Sequence, residues 1–436
     1  MKTVTAPGSG TTRSPQAPPS TVPESQVPDT RVPAGRGLGA VRDSAAARLR
    51  LLDRPLTSYY LVLGITLLLL ALGLVMVLST STALALANDT SEYGGFAKQL
   101  LGVVIGLPLM WAASKSPPRW FRGLAYPLLA AALAGLIAVL AFGTTINGGM
   151  RWIAVGPVQL EPSELAKLAF VVWGADLLAR KEKLRQLTDW RLLLIPLLPG
   201  AAVLSLLVLA GRDLGTTFVL LVIFLTLLWV IGTPGRLMLG LLGLICFALI
   251  VLIITQKYER QRITALFGTS WQGREGKYAV GSGGLFGVGV GSSKAKWGWV
   301  PESTSDFIFA ILGEELGLVG TLCVAVLYGG LAYAGLRIAR RVTDTFVRLA
   351  AAAITAWIVG QALVNIGSVL GMLPITGVPL PLISAGLSSL LVTMMALGML
   401  LAFARCEPGA AQALAAGGPG PSRRVLSWLR LAGRPG

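Results

Sequence analysis

The sequence predicts an all-α, polytopic integral membrane protein with about ten transmembrane helices and both termini in the cytoplasm. Three observations carry this expectation. The chain is 54% apolar and only 13% charged over 436 residues, with a mean hydropathy of +0.71, a balance that calls for a bilayer as solvent. The apolar residues gather in runs long enough to cross hydrocarbon. Lys and Arg concentrate in every second break between those runs, which is the bias of cytoplasmic loops.

The runs cover 59–80, 96–114, 123–142, 162–180, 191–210, 213–232, 236–255, 306–336, 346–371 and 382–404. The fifth and sixth are separated only by Gly211-Arg212-Asp213 and are expected to pair as a short hairpin. Arg42, Arg48, Arg50 and Arg54 precede the first run, and Lys115, Arg119 and Arg122 follow the second. Arg180, Lys181, Lys183, Arg185 and Arg191 follow the fourth, Arg236 the sixth, and Arg337, Arg340, Arg341 and Arg348 the eighth. Alternating helices put all of these on one side, the cytoplasm. Residues 1–55 are rich in Pro, Ser, Thr, Gly and Arg with no apolar period, so they are expected to be a disordered basic cytoplasmic tail. They hold no apolar stretch of the kind a signal peptide needs. The membrane domain is expected over 56–406, with a large extracytoplasmic loop at 256–305, and a second flexible cytoplasmic tail over 407–436.

Composition also excludes chemistry. Histidine is absent, which removes a histidine base, metal ligand or pH switch. Cys246, Cys323 and Cys406 lie far apart and form neither a disulfide framework nor a metal set. No metal site or cofactor is evident, although the composition leaves room for a divalent cation such as Mg or Mn. The net charge of +17 is accounted for by basic segments beside anionic membrane lipid, and the aromatics interleaved with basic residues that nucleic-acid binding needs are missing.

Four polar clusters fall on the outer side. The first runs from Asn147-Gly-Gly-Met-Arg151-Trp152 to Glu161-Pro-Ser163-Glu164-Leu-Ala-Lys167. Pro162 and Ser163 look like a helix start with Ser163 as its cap, and Glu164 and Lys167 share a helix face. A self-paired helix start is the plain reading. Arg151 and Lys167 at the edge of a charge-poor bundle favour a working role beside it. In the second cluster, Arg212-Asp213-Leu-Gly-Thr-Thr217, Asp213 either caps the sixth helix or acts in a site. The third is the 256–305 loop, basic on the side where basic residues are disfavoured, and so suited to an anionic partner such as a phosphate. Its Gly281–Gly291 stretch permits close backbone approach. The loop ends at Lys296-Trp-Gly-Trp-Val-Pro-Glu302-Ser-Thr-Ser-Asp306, where a carboxylate meets the membrane. Such a group is costly to keep there and reads as a working group. The fourth cluster, 365–389, is dense in Gly and Pro and includes Ser384, Ser388 and Ser389. Irregular backbone of this kind at membrane depth lines a cavity or is buried in protein.

These pieces together resemble the SEDS family (shape, elongation, division and sporulation), whose main branches are FtsW and RodA. The matching motifs occur in family order: N-G-x-x-R-W at 147–152, P-S-E-x-x-K at 162–167, D-L-G-T-T at 213–217, K-W-G-x-x-P-E at 296–302, D-F-I-F-A-x-x-x-E-E-L-G-L-x-G at 306–320, and the run from Asn365 to Ser384. The resemblance implies a ten-helix fold and polymerisation of glycan strands from lipid II in the bacterial plasma membrane. It also implies a class B penicillin-binding protein as transpeptidase partner, with other division proteins around it. The family's essential aspartate falls on Asp306, and Arg151, Glu164, Lys167, Lys296, Ser384 and Ser388 become candidate substrate-binding residues. G-E-E-L-G-L at 313–318 and the long tail favour the FtsW branch and the division septum. The chain departs from the family pattern at Thr304-Ser305, where His-Thr precedes the aspartate, and at Ala385-Gly-Leu387, where the family has Tyr-Gly-Gly. A lipid II flippase and a non-catalytic division scaffold remain alternatives to a glycosyltransferase.

Overall fold

Long uninterrupted runs of Leu, Ala, Val and Gly show no two-residue alternation, and in hydrocarbon every backbone polar group must be paired within its own segment. Helix follows. The computed structural model describes residues 56–87, 94–146, 149–156, 158–184, 193–255, 271–410 and 412. The expected tail 1–55, most of the expected tail 407–436, Asn147 of the first motif and the charged residues at 256–270 lie outside that set. Along the chain come α1 (Thr57–Ala87), α2 (Gly94–Lys115), the short α3 (Pro118–Gly123), α4 (Ala125–Phe142), β1 (Thr144–Ile146), β2 (Gly149–Val155), β3 (Val158–Leu160), α5 (Pro162–Lys183), α6 (Leu197–Ala210) and α7 (Leu214–Ile231). Then follow α8 (Gly235–Thr255), α9 (Trp271–Ser282), α10 (Ile308–Arg341), α11 (Thr345–Val369) and α12 (Leu387–Ala404).

Each predicted run holds a helix, but among the described residues seven are long and apolar enough to span a membrane by themselves: α1, α2, α4, α7, α10, α11 and α12. The others fall short for separate reasons. In the fifth run a turn at Ile195–Pro196 interrupts the helix, and the stretch from Leu197 to Ala210 is too short to span alone. In α8 the described apolar stretch is Gly235–Ala248. α5 carries Glu164, Lys167, Asp176, Arg180 and Lys181, too many charges for a lipid-facing helix. It is instead buried on nearly every side, packed between α4, α7 and α11. Its charges are paired there: Asp176 accepts from Arg122 Nε at 2.9 Å and pairs with Arg180 at 2.6 Å. Charge at membrane depth is tolerated when it faces the bundle interior and is compensated.

The 143–161 segment adds strand to an otherwise all-α expectation. β1, β2 and β3 form an antiparallel meander, with Thr144 opposite Trp152 and Ile153 opposite Leu160. β-branched and aromatic residues fill it, and Gly156 at φ +61° makes the second turn. The Met150 N–H donates to the Gly211 carbonyl at 3.1 Å, which seats the meander on the break between α6 and α7.

α10 is interrupted. Gly317 has φ +68° and ψ −163°, so the helix ladder opens there. The Gly281–Gly291 stretch fills the opening. A Cβ on Gly287 would stand 2.1 Å from the Glu315 carbonyl oxygen, and one on Gly283 would stand 2.0 Å from that of Gly313. Only glycine lets the two backbones approach this closely.

Candidate active site

Asp306 is set by the turn that leads into α10. Glu302 sits at φ +53°, and its carbonyl accepts from the N–H groups of Ser305 and Phe307, both at 3.1 Å. Three further bonds hold this turn from outside. Ser384 Oγ donates to the Ser305 carbonyl at 2.6 Å, the Ala385 N–H to the Thr304 carbonyl at 2.9 Å, and Asn365 Nδ2 to the Asp306 carbonyl at 2.8 Å. The fourth polar cluster thus braces the backbone that carries the carboxylate.

Asp306 faces a cavity of about 970 Å³. Lys98, Gln99, Arg151, Glu161, Glu302 and Ser388 also line it. Two of the sequence clusters are brought together by Arg151. Its Nη2 donates to the Arg212 carbonyl at 2.6 Å, and Nη1 lies 3.7 Å from Asp213 Oδ1. Asp213 also caps α7, accepting from the Thr216 N–H at 3.0 Å, so one carboxylate both caps a helix and pairs with a cation that lines the cavity. Ser388 accepts from the Glu161 N–H and donates to the Gln159 carbonyl, both at 3.2 Å, which ties the meander to the first turn of α12.

Several candidates occupy other places. Lys167 is fully buried. Its Nζ donates to Glu164 Oε1 at 2.8 Å and Gln361 Oε1 at 2.9 Å, and lies 5.2 Å from the centre of the Trp357 ring. Gln361 in turn donates to the Pro379 carbonyl at 2.9 Å, and Pro379 lines the cavity. Lys167 and Glu164 therefore reach the site through Gln361 and not by touching it. Lys296 is buried 3.1 Å from Glu315 Oε1, with further bonds to Ser79 Oγ and the Gly291 carbonyl, and does not line the cavity. Ser384 is buried too, its hydroxyl accepting from the Leu380 N–H at 2.8 Å while holding Ser305. The cap expected of Ser163 is also replaced. Glu161 occupies the N-cap position of α5, and Ser163 Oγ donates to Glu161 Oε1 at 3.0 Å.

Lys98, Gln99 and Glu161 are the cavity residues that motif reading passed over. Lys98 is the one cation at the outer end of the second apolar run, and that isolation was its signal. Gln99 Oε1 accepts from the Gly386 N–H, and its Nε2 donates to the Ser384 carbonyl at 3.3 Å. The Glu161 carboxyl is pushed up to about 8, first by burial, then by Glu164 and Asp213, with Arg151 and Lys167 opposing.

The cavity therefore holds three carboxyl groups, of Asp306, Glu161 and Glu302, beside the cations Arg151 and Lys98. Asp306 lines it at the entrance to α10, and the raised pKa of Glu161 keeps that carboxyl protonated to about pH 8. Arg151 and Lys98 offer charge to an anion. Among the described residues no group of three or more Asp, Glu, His or Cys could hold a metal ion.

Comparison with known proteins places this geometry in a family. The profile of the FtsW/RodA/SpoVE cell cycle proteins matches residues 59–407. The chain is 40% identical over 395 residues to a probable peptidoglycan glycosyltransferase FtsW of Mycobacterium tuberculosis, covering 88% of this chain and 75% of that protein. It is 37% identical over 279 residues to stage V sporulation protein E of Bacillus subtilis, covering 62% and 75%. Among solved structures it resembles a chain of a peptidoglycan synthase complex that coordinates polymerization and crosslinking, with a TM-score of 0.63 at 28% identity over 79% of this chain and 96% of that one. It also resembles the rod shape determining protein RodA of Thermus thermophilus, with a TM-score of 0.59 at 28% identity over 80% and 97%. With the profile spanning nearly the whole described chain, this protein belongs to the FtsW/RodA/SpoVE family.

Proposed function

We propose that the chain is a membrane-embedded peptidoglycan glycosyltransferase of the FtsW type, polymerising lipid II into glycan strands during division. A class B penicillin-binding protein would act beside it as the transpeptidase, at the septal plasma membrane. The observation that carries this reading is the cavity that collects Asp306, Arg151, Lys98 and Glu161 at the mouth of an apolar face. Leu101 of α2 lines the cavity, and Val104 and Ile105 continue an exposed apolar strip along the same helix. A substrate with a polar sugar-pyrophosphate and a hydrocarbon tail fits such a junction. The names of the mycobacterial relative and of the solved synthase complex point the same way.

The chemistry follows from the groups. The acceptor sugar hydroxyl attacks the anomeric carbon of the donor, the carbon–oxygen bond to pyrophosphate breaks, and Asp306 takes the hydroxyl proton. Negative charge grows on the departing pyrophosphate, where Arg151 and Lys98 stabilise it. Asn365, Ser384 and Ala385 fix the backbone on either side of Asp306, so its carboxylate is held in place before substrate arrives. Purified protein given lipid II in detergent should make glycan strands, and Asp306→Asn should lose at least about 10²-fold in rate. A folded Asn variant working near the parent rate would remove Asp306 from the reaction. Product formed in detergent, where nothing is there to be crossed, would rule out pure transport.

A further inference from the structure

The Gly281–Gly291 stretch has a backbone that repairs a broken helix and side chains that face away from the protein. In an unbroken helix the N–H groups of Leu318 and Val319 would donate to the carbonyls of Glu314 and Glu315. At the Gly317 break they donate instead to Gly284 at 2.9 Å and Leu285 at 3.2 Å. The two carbonyls so released accept from Val288 at 3.0 Å and Gly289 at 3.1 Å. Four helix groups change partner and none is left open. Backbone satisfied in this way can sit at membrane depth without helical structure of its own.

The side chains of the same stretch point outward. Leu285, Phe286, Val288 and Val290 are all exposed, Phe286 at 82%. They adjoin Leu318, Val319, Leu322 and Val326, the exposed apolar face of a helix that spans the membrane. The stretch prolongs that lipid-facing surface and has no polar side chain of its own between Leu285 and Gly291. Its depth follows from helix length. From Arg337, in the basic end of α10, about twenty residues at ~1.5 Å each lead back to Gly317, a distance of ~30 Å and so the full thickness of the hydrocarbon. The break lies at the opposite edge of the core. Trp297 and Trp299, both exposed on the following loop, are residues of the kind that settle at the membrane–water boundary.

We infer that residues 284–290 form a re-entrant wedge whose side chains insert into the outer edge of the bilayer, anchoring the loop that carries Asp306 to lipid. The occupant of this surface is the acyl region of the membrane, because the patch is continuous with the lipid-facing side of α10. The inference does not depend on the glycosyltransferase reading. The test uses the full chain with Cys246, Cys323 and Cys406 changed to Ser, Phe286→Cys introduced, and an environment-sensitive fluorophore on that thiol. The protein is reconstituted into phosphatidylcholine and phosphatidylglycerol vesicles. The expected result is blue-shifted emission, loss of intensity with nitroxides placed high on the acyl chains, and insensitivity to iodide. Quenching by iodide without quenching by nitroxide lipid would put the wedge in water and overturn the inference. Shielding from both would mean that protein, such as a second copy or a partner helix, covers the patch, and would overturn it equally. A Val290→Cys label should repeat the Phe286 result at shallower depth, so that one perturbing substitution does not decide the matter.

Discussion

Lys167 and Arg151 are both cations in a charge-poor bundle, and the structure separates their work. Lys167 is enclosed with Glu164 and Gln361, so Lys167→Ala leaves a carboxylate buried without its cation and should cost about 3–5 kcal/mol of stability. Lipid II affinity of the molecules that remain folded should change little. Arg151 lines the cavity, and Arg151→Ala should weaken lipid II binding by about 1.5–3 kcal/mol. Thermal unfolding together with binding measurements on both variants checks the separation. Spacing alone could not make it, because Glu164 and Lys167 three residues apart read the same whether they face a cavity or Trp357. Glu161 gives a pH signature. Its carboxyl titrates near 8 in the folded protein against 4.5 ordinarily, so between those values the folded state holds a proton that the unfolded state has lost. Stability therefore falls as pH rises from about 4.5 to about 8 and levels off above. Glu161→Gln should flatten that slope, as melting temperatures across the range would register.

At the scale of elements, glycine decides where helices can touch. α2 and α12 pack along much of their length. A Cβ on Gly398 would stand 2.5 Å from the Met110 carbonyl, and one on Gly106 would stand 2.4 Å from Met394 Sδ. Gly398→Leu should splay the pair and lower the melting temperature, with a cost of the ~1–3 kcal/mol typical of overpacking or more. Ser384→Ala strands the Ser305 carbonyl and the Leu380 N–H, and each unpaired buried group costs about 1–3 kcal/mol. Its effect on rate should exceed its effect on substrate affinity, since it loosens the turn before Asp306 while leaving Arg151 and Lys98 in place. The helices were legible from composition because a bilayer allows little else. The meander at 144–160 was not. Its strands are three to seven residues long, too short for a period to declare itself, and its seat on Gly211 is more than fifty residues away in sequence. The glycine-rich stretch announced close approach, but its partner, the opened ladder of α10, lies some thirty residues on and carries no mark beyond Gly317.

At the scale of the molecule, the motifs had already placed Asp306 and Arg151 on one side, and folding adds that they share one cavity. Motif matches do not say which side chains point inward, and Lys296 and Lys167, read from the motifs as site residues, lie buried against Glu315 and Glu164 outside the cavity lining. The alternation of basic loops predicts that Cys406, just past α12, faces the cytoplasm. A membrane-impermeant maleimide should label it from that side only, and slowly near neutral pH, because burial and Asp344 push the thiol up. Cys246 and Cys323, exposed on apolar helices, should resist a charged reagent while the protein is in a bilayer.

The exchanged bonds at Gly317 give the loop a clock. Amide hydrogens in the body of a membrane helix are ordinarily among the slowest in a protein to be replaced by deuterium. Those of Leu318 and Val319 are held by Gly284 and Leu285, so they are released whenever that loop lifts. Their deuterium uptake reports how often residues 284–285 leave the break, and any binding event that steadies that stretch should slow these two amides ahead of their helical neighbours.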